Sequence, residues 1–584
     1  MGTISDKLMR IINTKEDIRQ ALISKGYDVP TSIPFKEYAK MILDLPCKVD
    51  SFPDIEGIVA RYSASGLTNE QMAANPVWVD KTGNGHDLQL KNFAWKGMSG
   101  VGGYVGDFSK WVNNRDTTEI GITKSNSKVI IDVKVSQGSG KNIVFISKSN
   151  LGISNNVTIK ITSTYPEGVM KFANSASNKY LKLPSNGIIT LQDNPEYTSN
   201  EMHLHLASAD LGQITIEQLP LYPGALVFDG VDDWAGCDNL PLLPKEKGYS
   251  IIALRNWITR YDATQYKRPL ISNLDTNDEG AFLIEYRKDE NVNDVTGSYN
   301  SFTDVYIDDN NPITWQTSSS YNGQIIKKGT SKSTNKLCIC KTYFGQLSNY
   351  ANAAIWEIVI LDHDATEEEL TKIKDYFVKT YPWLFPDQAW TVVGKTNEDE
   401  DRATIANITG NGNDLVLSNF GFAEGSGYNE EGEYAGYLVT DGVDDKIISS
   451  IFKMGNDWTV IGDWELINTG KNDNAGIVKF DSIVIYNYNY NSMLINIKNG
   501  RNILIPDQNT VNAICSDGRI YSKDWKESIY NEETESTSKN FLTIGYSGNA
   551  YTKIAFKNLA IYPTVLSRKD CIKAYNYLQT LKAK

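Results

Sequence analysis

The sequence has little of what several large protein classes require. Its 584 residues include only six cysteines, and these lie far apart except for Cys338 and Cys340. No His/Cys group has the spacing of a zinc site, so we expect six free thiols and no disulfide framework. Because Cys338 and Cys340 are two residues apart in a strand-like run, their side chains should share one face of a strand.

Long apolar runs and basic stripes are also missing. No stretch of about 18 apolar residues occurs, and the first residues lack the apolar segment of a signal peptide, so we expect neither a membrane span nor an export signal. The formal net charge of −13 should repel the phosphates of nucleic acid and anionic lipid surfaces. These features predict no nucleic-acid partner and no membrane partner.

The residues present predict a mostly β chain with a short helical start. Residues 1–46 show helix signals, with Thr14 and Asp17 as an N-cap pair and Gly26 as a stop. After residue 47, short alternating segments separated by Gly, Asn and Asp turns continue to the end, which is typical of β-sandwiches.

An internal repeat is the strongest signal in the sequence. Residues 82–95, TGNGHDLQLKNFAW, match residues 409–422, TGNGNDLVLSNFGF, at nine of fourteen positions. Residues 224–234, GALVFDGVDDW, match residues 436–446, GYLVTDGVDDK, at eight of eleven. Each copy also closes with a strand and a capped helix, started by Thr366 with Glu369 and by Ser567 with Asp570. One ancestral unit therefore occurs twice.

The spacing of the repeat marks reveals an insertion in the first copy. Tyr428 and Gly436 are eight residues apart, whereas Tyr104 and Gly224 are 120 apart. The extra residues contain about six period-two segments, enough for a small sandwich of their own. We predict four parts, namely a helical module at 1–46, a first sandwich at 54–104 plus 224–386, an inserted β-sandwich at 105–223 and a second sandwich at 387–584.

The repeat motifs resemble those of the laminin-G-like, concanavalin A-type jelly-roll family. The resemblance rests on the TGN-G-D-L turn, the DGVDD turn and the closing strand and helix, and it covers about two thirds of the chain. It implies tandem antiparallel jelly-roll β-sandwiches and binding of glycans or surface proteins.

The first 46 residues resemble the short helical leaders of phage fibres and other virion structural proteins. Together with the sandwiches, this resemblance implies a non-enzymatic head or tail fibre component that is made in the host cytoplasm and assembled into a virion. Its leader would contact other virion proteins, and its sandwiches would bind host-surface glycan or neighbouring subunits, as a homo-oligomer. A bacterial surface lectin of laminin-G type and a glycan-degrading enzyme are the alternatives.

The twice-repeated DGVDD segment is the first candidate site. It places Asp229, Asp232 and Asp233 in one turn and Asp441, Asp444 and Asp445 in the other. Clustered carboxylates suit calcium, but the same aspartates are more typical of Asx turns that accept backbone N–H groups. No other cofactor is expected.

An alternating tyrosine run is the second candidate site. Tyr486, Tyr488 and Tyr490 would line one face of a strand, where they could stack on sugars, pack in a sheet or contact a subunit. No catalytic residues are predicted, because the strand-borne carboxylate pair of a glycosidase is not evident. Trp234 and Trp257 are expected to fill cores.

Overall fold

A computed structural model describes residues 15, 19, 52–110, 112–113, 120–134, 144–147, 157–166, 170–174, 180–191, 202–206, 211–243, 248–259, 267–275, 280–287, 303–307, 311–322, 324–328, 333–345, 349–432, 434–452, 455–467, 476–480, 483–489, 492–497, 501–505, 511–523, 525–529, 542–547 and 550–583. The chain divides into two units, residues 1–54 and 55–584. In the first unit, Lys15 and Arg19 are helical; the rest of the predicted helical module lies outside the described residues.

The second unit begins with four strands and a short helix, which are followed by an inserted sandwich. The elements before the insertion are β1 Ile58–Ser63, helix α1 Asn69–Ala74, β2 Val77–Trp78, β3 Leu88–Lys91 and β4 Gly100–Val101. A 3-10 helix, Phe108–Lys110, precedes the insert strands, which are β5 Val112–Asn113, β6 Ile120–Lys124, β7 Lys128–Val133, β8 Val144–Ser147, β9 Val157–Ser163, β10 Met170–Asn174, β11 Tyr180–Lys182, β12 Asn186–Leu191, β13 Met202–Leu206 and β14 Gly212–Gln218. The insert strands form two five-stranded sheets, β11-β10-β13-β8-β5 and β12-β9-β14-β7-β6.

The chain then completes what we call the first sandwich, made of β1–β4 and β15–β24. Its later elements are β15 Leu226–Asp229, β16 Trp234–Cys237, β17 Ser250–Trp257, β18 Lys267–Ser272, β19 Phe282–Arg287, β20 Thr303–Ile307, β21 Ile313–Thr317, β22 Gln324–Lys328, β23 Leu337–Ile339, β24 Asn352–Leu361, helix α2 Glu367–Thr380 and a 3-10 helix at Pro382–Leu384. One sheet has the order β21-β17-β24-β15-β4 with β1 on β24, and the other has the order β2-β3-β16-β23-β18-β19-β20-β22.

The second sandwich, β25–β42, follows directly. Its elements are β25 Gln388–Thr391, β26 Thr404–Ile405, β27 Leu415–Ser418, β28 Gly427–Asn429, β29 Tyr437–Val439, β30 Lys446–Ser449, β31 Thr459–Leu466, β32 Gly476–Phe480, β33 Ile483–Asn489, β34 Ser492–Ile497, β35 Arg501–Ile505, β36 Val511–Cys515, β37 Arg519–Ser522, β38 Glu527–Ile529, β39 Leu542–Ile544, β40 Tyr546–Ser547, β41 Ala550–Tyr551, β42 Ile554–Tyr562 and helix α3 Arg568–Leu578.

The two large sandwiches share one strand order. The second has the sheets β28-β29-β42-β31-β36-β37-β38, with β25 on β42, and β26-β27-β30-β39-β32-β33-β34-β35. Its second sheet matches the eight-stranded sheet of the first sandwich strand for strand. One difference is that β19 and β20 pair in parallel, whereas β33 and β34 are antiparallel. The predicted mostly β sandwich fold is confirmed.

Local sequence explains which faces are buried. β3 and β27 alternate buried and exposed residues, as expected for strands with one wet face. β24 is buried along nearly its whole length, because its inner face joins the core between the sheets and its outer face lies under α2, where Tyr376 and Tyr381 bond Glu357. Within the described residues, no helix is both long and apolar enough to cross a bilayer.

Candidate functional site

The two DGVDD turns occupy equivalent places in the two sandwiches. The first turn leaves β15 and enters β16, and the second joins β29 to β30. In each turn the three carboxylates converge, with ligand atoms within 4.8 Å of one another. The residues that the repeat predicted as a group therefore do lie together.

In the first turn, the carboxylates are used to fold the backbone. Asp229 Oδ1 accepts the N–H groups of Val231, Asp232 and Asp233 at 2.8, 3.3 and 3.4 Å. Asp233 Oδ2 accepts the N–H of Asp229 at 3.1 Å. Gly230 has φ +77°, and a Cβ there would lie 3.0 Å from the backbone nitrogen of Asn352. Glycine is therefore required between the aspartates.

The second turn repeats this bonding. Asp441 Oδ1 accepts the N–H groups of Val443, Asp444 and Asp445 at 2.7, 3.2 and 3.4 Å. Asp445 Oδ2 accepts the N–H of Asp441 at 2.7 Å. Gly442 has φ +76°, and a Cβ at this position would lie 3.0 Å from the backbone nitrogen of Lys553. Both turns thus have the hydrogen bonds of an Asx turn.

The last aspartate of each turn is buried and holds its proton unusually tightly. Burial raises the pKa of Asp233 to about 7, opposed by the hydroxyl of Ser99. Burial raises the pKa of Asp445 to about 6, opposed by its bond to the N–H of Asp441 and by the hydroxyl of Ser426, which donates to Oδ1 at 3.1 Å. A cation that bound these carboxyls would have to displace their protons, so its affinity would depend on pH.

These observations bear on the predicted calcium sites. Calcium takes six to eight oxygen ligands, preferably ionised carboxylates. Here Asp229 and Asp441 already accept three backbone N–H groups each, and Asp233 and Asp445 each accept one more. The donor set fits turn closure better than calcium coordination.

Each acidic turn also exposes a valine, which was not predicted as a site residue. Val231 and Val443, at the centre of the acidic turns, are 72% and 70% exposed. A neighbouring loop supports each turn, because Asn92 Nδ2 donates to the carbonyl of Asp232 at 2.9 Å and Asn419 Nδ2 donates to that of Asp444 at 3.0 Å. The signal was present in the sequence as one apolar residue retained inside an acidic turn in both copies.

Each supporting loop also carries an aromatic residue in a left-handed conformation. Trp95 has φ 54° and Phe422 has φ 49°, values that are rare for bulky side chains. Both are partly exposed. Trp95 stacks on Phe93 with centroids 4.9 Å apart, and Phe422 stacks on Tyr428 with centroids 6.4 Å apart. We call residues 92–95 with 229–233 the first tip, and residues 419–422 with 441–445 the second tip.

The predicted tyrosine face is largely outside the described part of the chain. The backbones of Tyr486 and Tyr488 lie in β33, but their side chains are not among the described ones. Tyr490 lies outside the described residues altogether. The stacking surface proposed for these tyrosines therefore stays a prediction.

A cleft of about 590 Å³ lies where the two large sandwiches meet. The first sandwich contributes Trp315 of β21 and Lys374 of α2 to its lining. The second sandwich closes the cleft with Thr409 and Asn411 of its TGNG turn, and with residues at the end of α3. Sequence reasoning did not find this cleft, because its walls come from stretches that lie far apart in the chain, from Ile252 to Leu581.

Comparisons with known proteins give only weak structural similarities. No protein-family model matches the chain, and no curated protein matches it. Among solved structures, the sialidase of Trypanosoma rangeli in complex with sialic acid is 9% identical with a TM-score of 0.25, over 79% of this chain and 85% of that one. The receptor-binding domain of botulinum neurotoxin type G is 12% identical with a TM-score of 0.21, over 32% and 50% of the two chains. Similarity at this level supports no conclusion about function.

Proposed function

We propose that this chain is a non-enzymatic structural and adhesion protein of a virion, a component of a phage head or tail fibre of laminin-G-like, jelly-roll type. Its sandwiches bind host-surface glycan or neighbouring virion subunits, and residues 1–46 attach a homo-oligomer to other virion proteins. The single observation that supports binding is that the same tip occurs twice, with an exposed valine at the centre of a turn that a hydrogen-bonded neighbouring loop supports.

The physical argument is one of preorganisation and repetition. The hydrogen bonds of Asp229 and Asp441 hold each turn without the help of a partner, so little conformational entropy is lost when Val231 or Val443 is covered. Two equal contacts on one chain also raise the avidity for a repetitive surface such as a capsid lattice or a cell-wall polymer.

The proposal is tested with a double variant, Val231→Asp with Val443→Asp. The matched control is Leu211→Asp with Leu242→Asp, at positions that are 64% and 63% exposed outside the tips. We expect the tip variant to lose binding on a glycan array or incorporation into particles, and the control to keep both. Unchanged array binding and incorporation in the tip variant would contradict the proposal, as would release of sugar products from array glycans by the wild-type chain.

A further inference from the structure

The inter-sandwich cleft has the size and lining of a small-molecule site. Its volume of about 590 Å³ falls in the range of roughly 300–1,000 Å³ that such sites occupy. Trp315 lies on β21 between the buried residues Thr314 and Gln316 and is itself partly exposed. A partly exposed indole presents a flat apolar surface with a polar N–H, which suits a ligand that has both apolar and polar faces.

The polar groups around Trp315 suit hydroxyl groups. Asn411 is exposed, and its Nδ2 donates to the carbonyl of Asp387 at 2.7 Å, which fixes the amide in place. Lys374 is exposed on α2 and supplies a donor. The hydroxyl of Thr371 donates to the carbonyl of Glu367 at 2.7 Å and keeps its lone pairs as acceptors. Sugar hydroxyls both donate and accept, so they can use such a mixture.

The charges of the cleft select against anionic ligands. The charged residues of the lining are two acidic ones, Glu367 and Asp387, and one basic one, Lys374. The whole chain has a net charge of −13. A carboxylate or phosphate would have to enter against this excess of negative charge. Uncharged ligands carry no such cost.

A peptide is disfavoured because the edge of the sheet is already occupied. An extended peptide would normally add to the free edge of β21 through its backbone. Here Asn322 imitates that partner, since Nδ2 donates to the carbonyl of Ile313 at 3.0 Å and Oδ1 accepts the N–H of Trp315 at 2.9 Å. The backbone N–H of Asn322 also donates to the carbonyl of Trp315 at 3.2 Å. Recognition in the cleft is therefore left to side chains.

We propose that this cleft binds an uncharged saccharide, with one sugar face on Trp315 and its hydroxyls on Lys374 of the first sandwich and Asn411 of the second. The site is complete only where a second sandwich follows the first. This inference rests on the proposed function, because it assumes that the chain binds a glycan. It places that glycan in the cleft and leaves the tips to bind neighbouring virion subunits, so the tip variant should keep sugar binding and lose incorporation into particles.

The experiment titrates the full chain with maltotriose, cellotriose, mannotriose and N-acetyllactosamine, and with sialyllactose as the anionic comparator, by saturation-transfer NMR and calorimetry. We expect at least one neutral sugar to bind and sialyllactose to bind more weakly. Trp315→Ala should weaken the neutral sugar about tenfold or more, as for an aromatic anchor. Tyr321→Ala, an exposed aromatic outside the cleft, should leave affinity within about twofold.

A second variant keeps the test valid if Trp315→Ala does not fold. Asn411→Ala should also weaken binding, whereas Asn84→Ala should not, since Asn84 is the equivalent residue of the first TGNG turn and donates to the carbonyl of Val59 at 2.9 Å. Neutral-sugar binding that survives Trp315→Ala and Asn411→Ala but is lost in the tip variant would overturn this inference and leave the proposed function standing. Absence of binding to every neutral sugar would overturn the inference and the glycan part of the proposed function together, leaving particle incorporation to test subunit binding.

Discussion

Trp356 of β24 and Tyr577 of α3 meet edge to face, with ring centroids 6.3 Å apart and planes at 85°. The contact joins the two large sandwiches, since Trp356 belongs to the first and Tyr577 to the last helix of the second. Asn576, the residue before Tyr577 in α3, donates from Nδ2 to the carbonyl of Pro220 at 3.3 Å. Because Tyr577 also lines the cleft, the same contact sets the geometry of the proposed saccharide site.

Tyr577→Ala should therefore weaken the docking of the sandwiches. Tyr577 is 4% exposed, and removal of a buried aromatic side chain costs about 3–5 kcal/mol. We expect the free energy of unfolding to fall by about 3 kcal/mol in guanidinium denaturation. Lys582→Ala, at an exposed position near the end of the same segment, is the control and should change it by less than about 0.5 kcal/mol. Equal stability of the two variants would show that the contact contributes nothing.

A buried ion pair gives a second prediction. Arg61 Nε lies 3.4 Å from Glu357 Oε2, and both side chains are almost fully buried. Tyr376 and Tyr381 donate to Glu357 Oε1 at 3.2 and 2.7 Å. Glu357→Ala leaves the guanidinium without its carboxylate, so we expect a loss of about 3–5 kcal/mol in the free energy of unfolding.

The second sandwich supplies the control for this prediction. By strand register, Ala389 and Asn558 stand where the first sandwich has Arg61 and Glu357. The double variant Arg61→Ala with Glu357→Asn copies that uncharged pair and should be more stable than Glu357→Ala alone. A double variant that is less stable than Glu357→Ala would refute the account of an unpaired buried charge.

The caps of helices α2 and α3 were predicted correctly from the sequence. Thr366 and Glu369 were predicted to cap α2, and they bond reciprocally, with Glu369 N–H to Thr366 Oγ1 at 3.3 Å and Thr366 N–H to Glu369 Oε2 at 2.8 Å. Ser567 caps α3 through the N–H of Asp570 at 3.1 Å. Such signals are readable because both partners lie within one helical turn.

Predictions that assumed regular backbone geometry were less reliable. Cys338 and Cys340 were expected to share a face, but Cys340 has φ 57° and packs in the core with Leu337 and Ile339, which Cys338 does not join. Five cysteines are free thiols as predicted, and Cys47 lies outside the described residues. Trp257 is buried at 4%, whereas Trp234 is only half-buried beneath Lys341 Nζ, 4.1 Å from its ring centre.

The cleft and the tips lay beyond sequence reasoning for a different reason. Trp315, Lys374 and Asn411 are brought together only by the packing of two sandwiches, and no periodicity encodes that packing. The exposure of Val231 and Val443 depends on aspartates that turn the backbone outward. In the sequence, a cluster of carboxylates suggests a metal site. The hydrogen bonds in the structure show that these carboxylates accept backbone N–H groups of the turn.

The buried aspartates predict an unusual pH dependence of stability. The folded-state pKa values of Asp233 and Asp445, about 7 and about 6, lie above the unfolded value of 3.8. Folding therefore takes up protons in this range, and the free energy of unfolding contributed by these groups falls as the pH rises from about 4 to about 7. Asp233→Asn should match the wild type at pH 4 and exceed it at pH 8 by roughly 1–4 kcal/mol, at about 1.4 kcal/mol per pKa unit.

Chemical denaturation of both proteins at several pH values checks this expectation. The measurement carries its own control, because the variant and the wild type should coincide where Asp233 is protonated. A variant that is less stable than the wild type at pH 8 would mean that the charged carboxylate, through its bond to the N–H of Asp229, stabilises the turn more than burial disfavours it.

Calcium provides a separate test of the tips. Since Asp229 and Asp441 already accept three backbone N–H groups each, we expect the melting temperature to be the same in millimolar calcium and in a chelator. A cation that binds only the folded state would raise it through mass action. A calcium-dependent rise that disappears in Asp232→Asn with Asp444→Asn, at the exposed aspartates, would establish calcium sites in the turns.

The capped edge of β21 gives the last prediction. Asn322 satisfies the carbonyl of Ile313 and both backbone groups of Trp315, and unpaired edge groups are templates for pairing with another chain. Asn322→Ala should lower the free energy of unfolding by about 1–3 kcal/mol through the lost hydrogen bonds and should increase self-association in sedimentation velocity. Asn239→Ala removes only an exposed bond to the carbonyl of Gly85 and should stay as dispersed as the wild type. If Asn322→Ala stays equally dispersed, the edge is protected from self-pairing by other means. If that variant also binds a β-strand peptide in the cleft, Asn322 acts to exclude peptides from the proposed saccharide site.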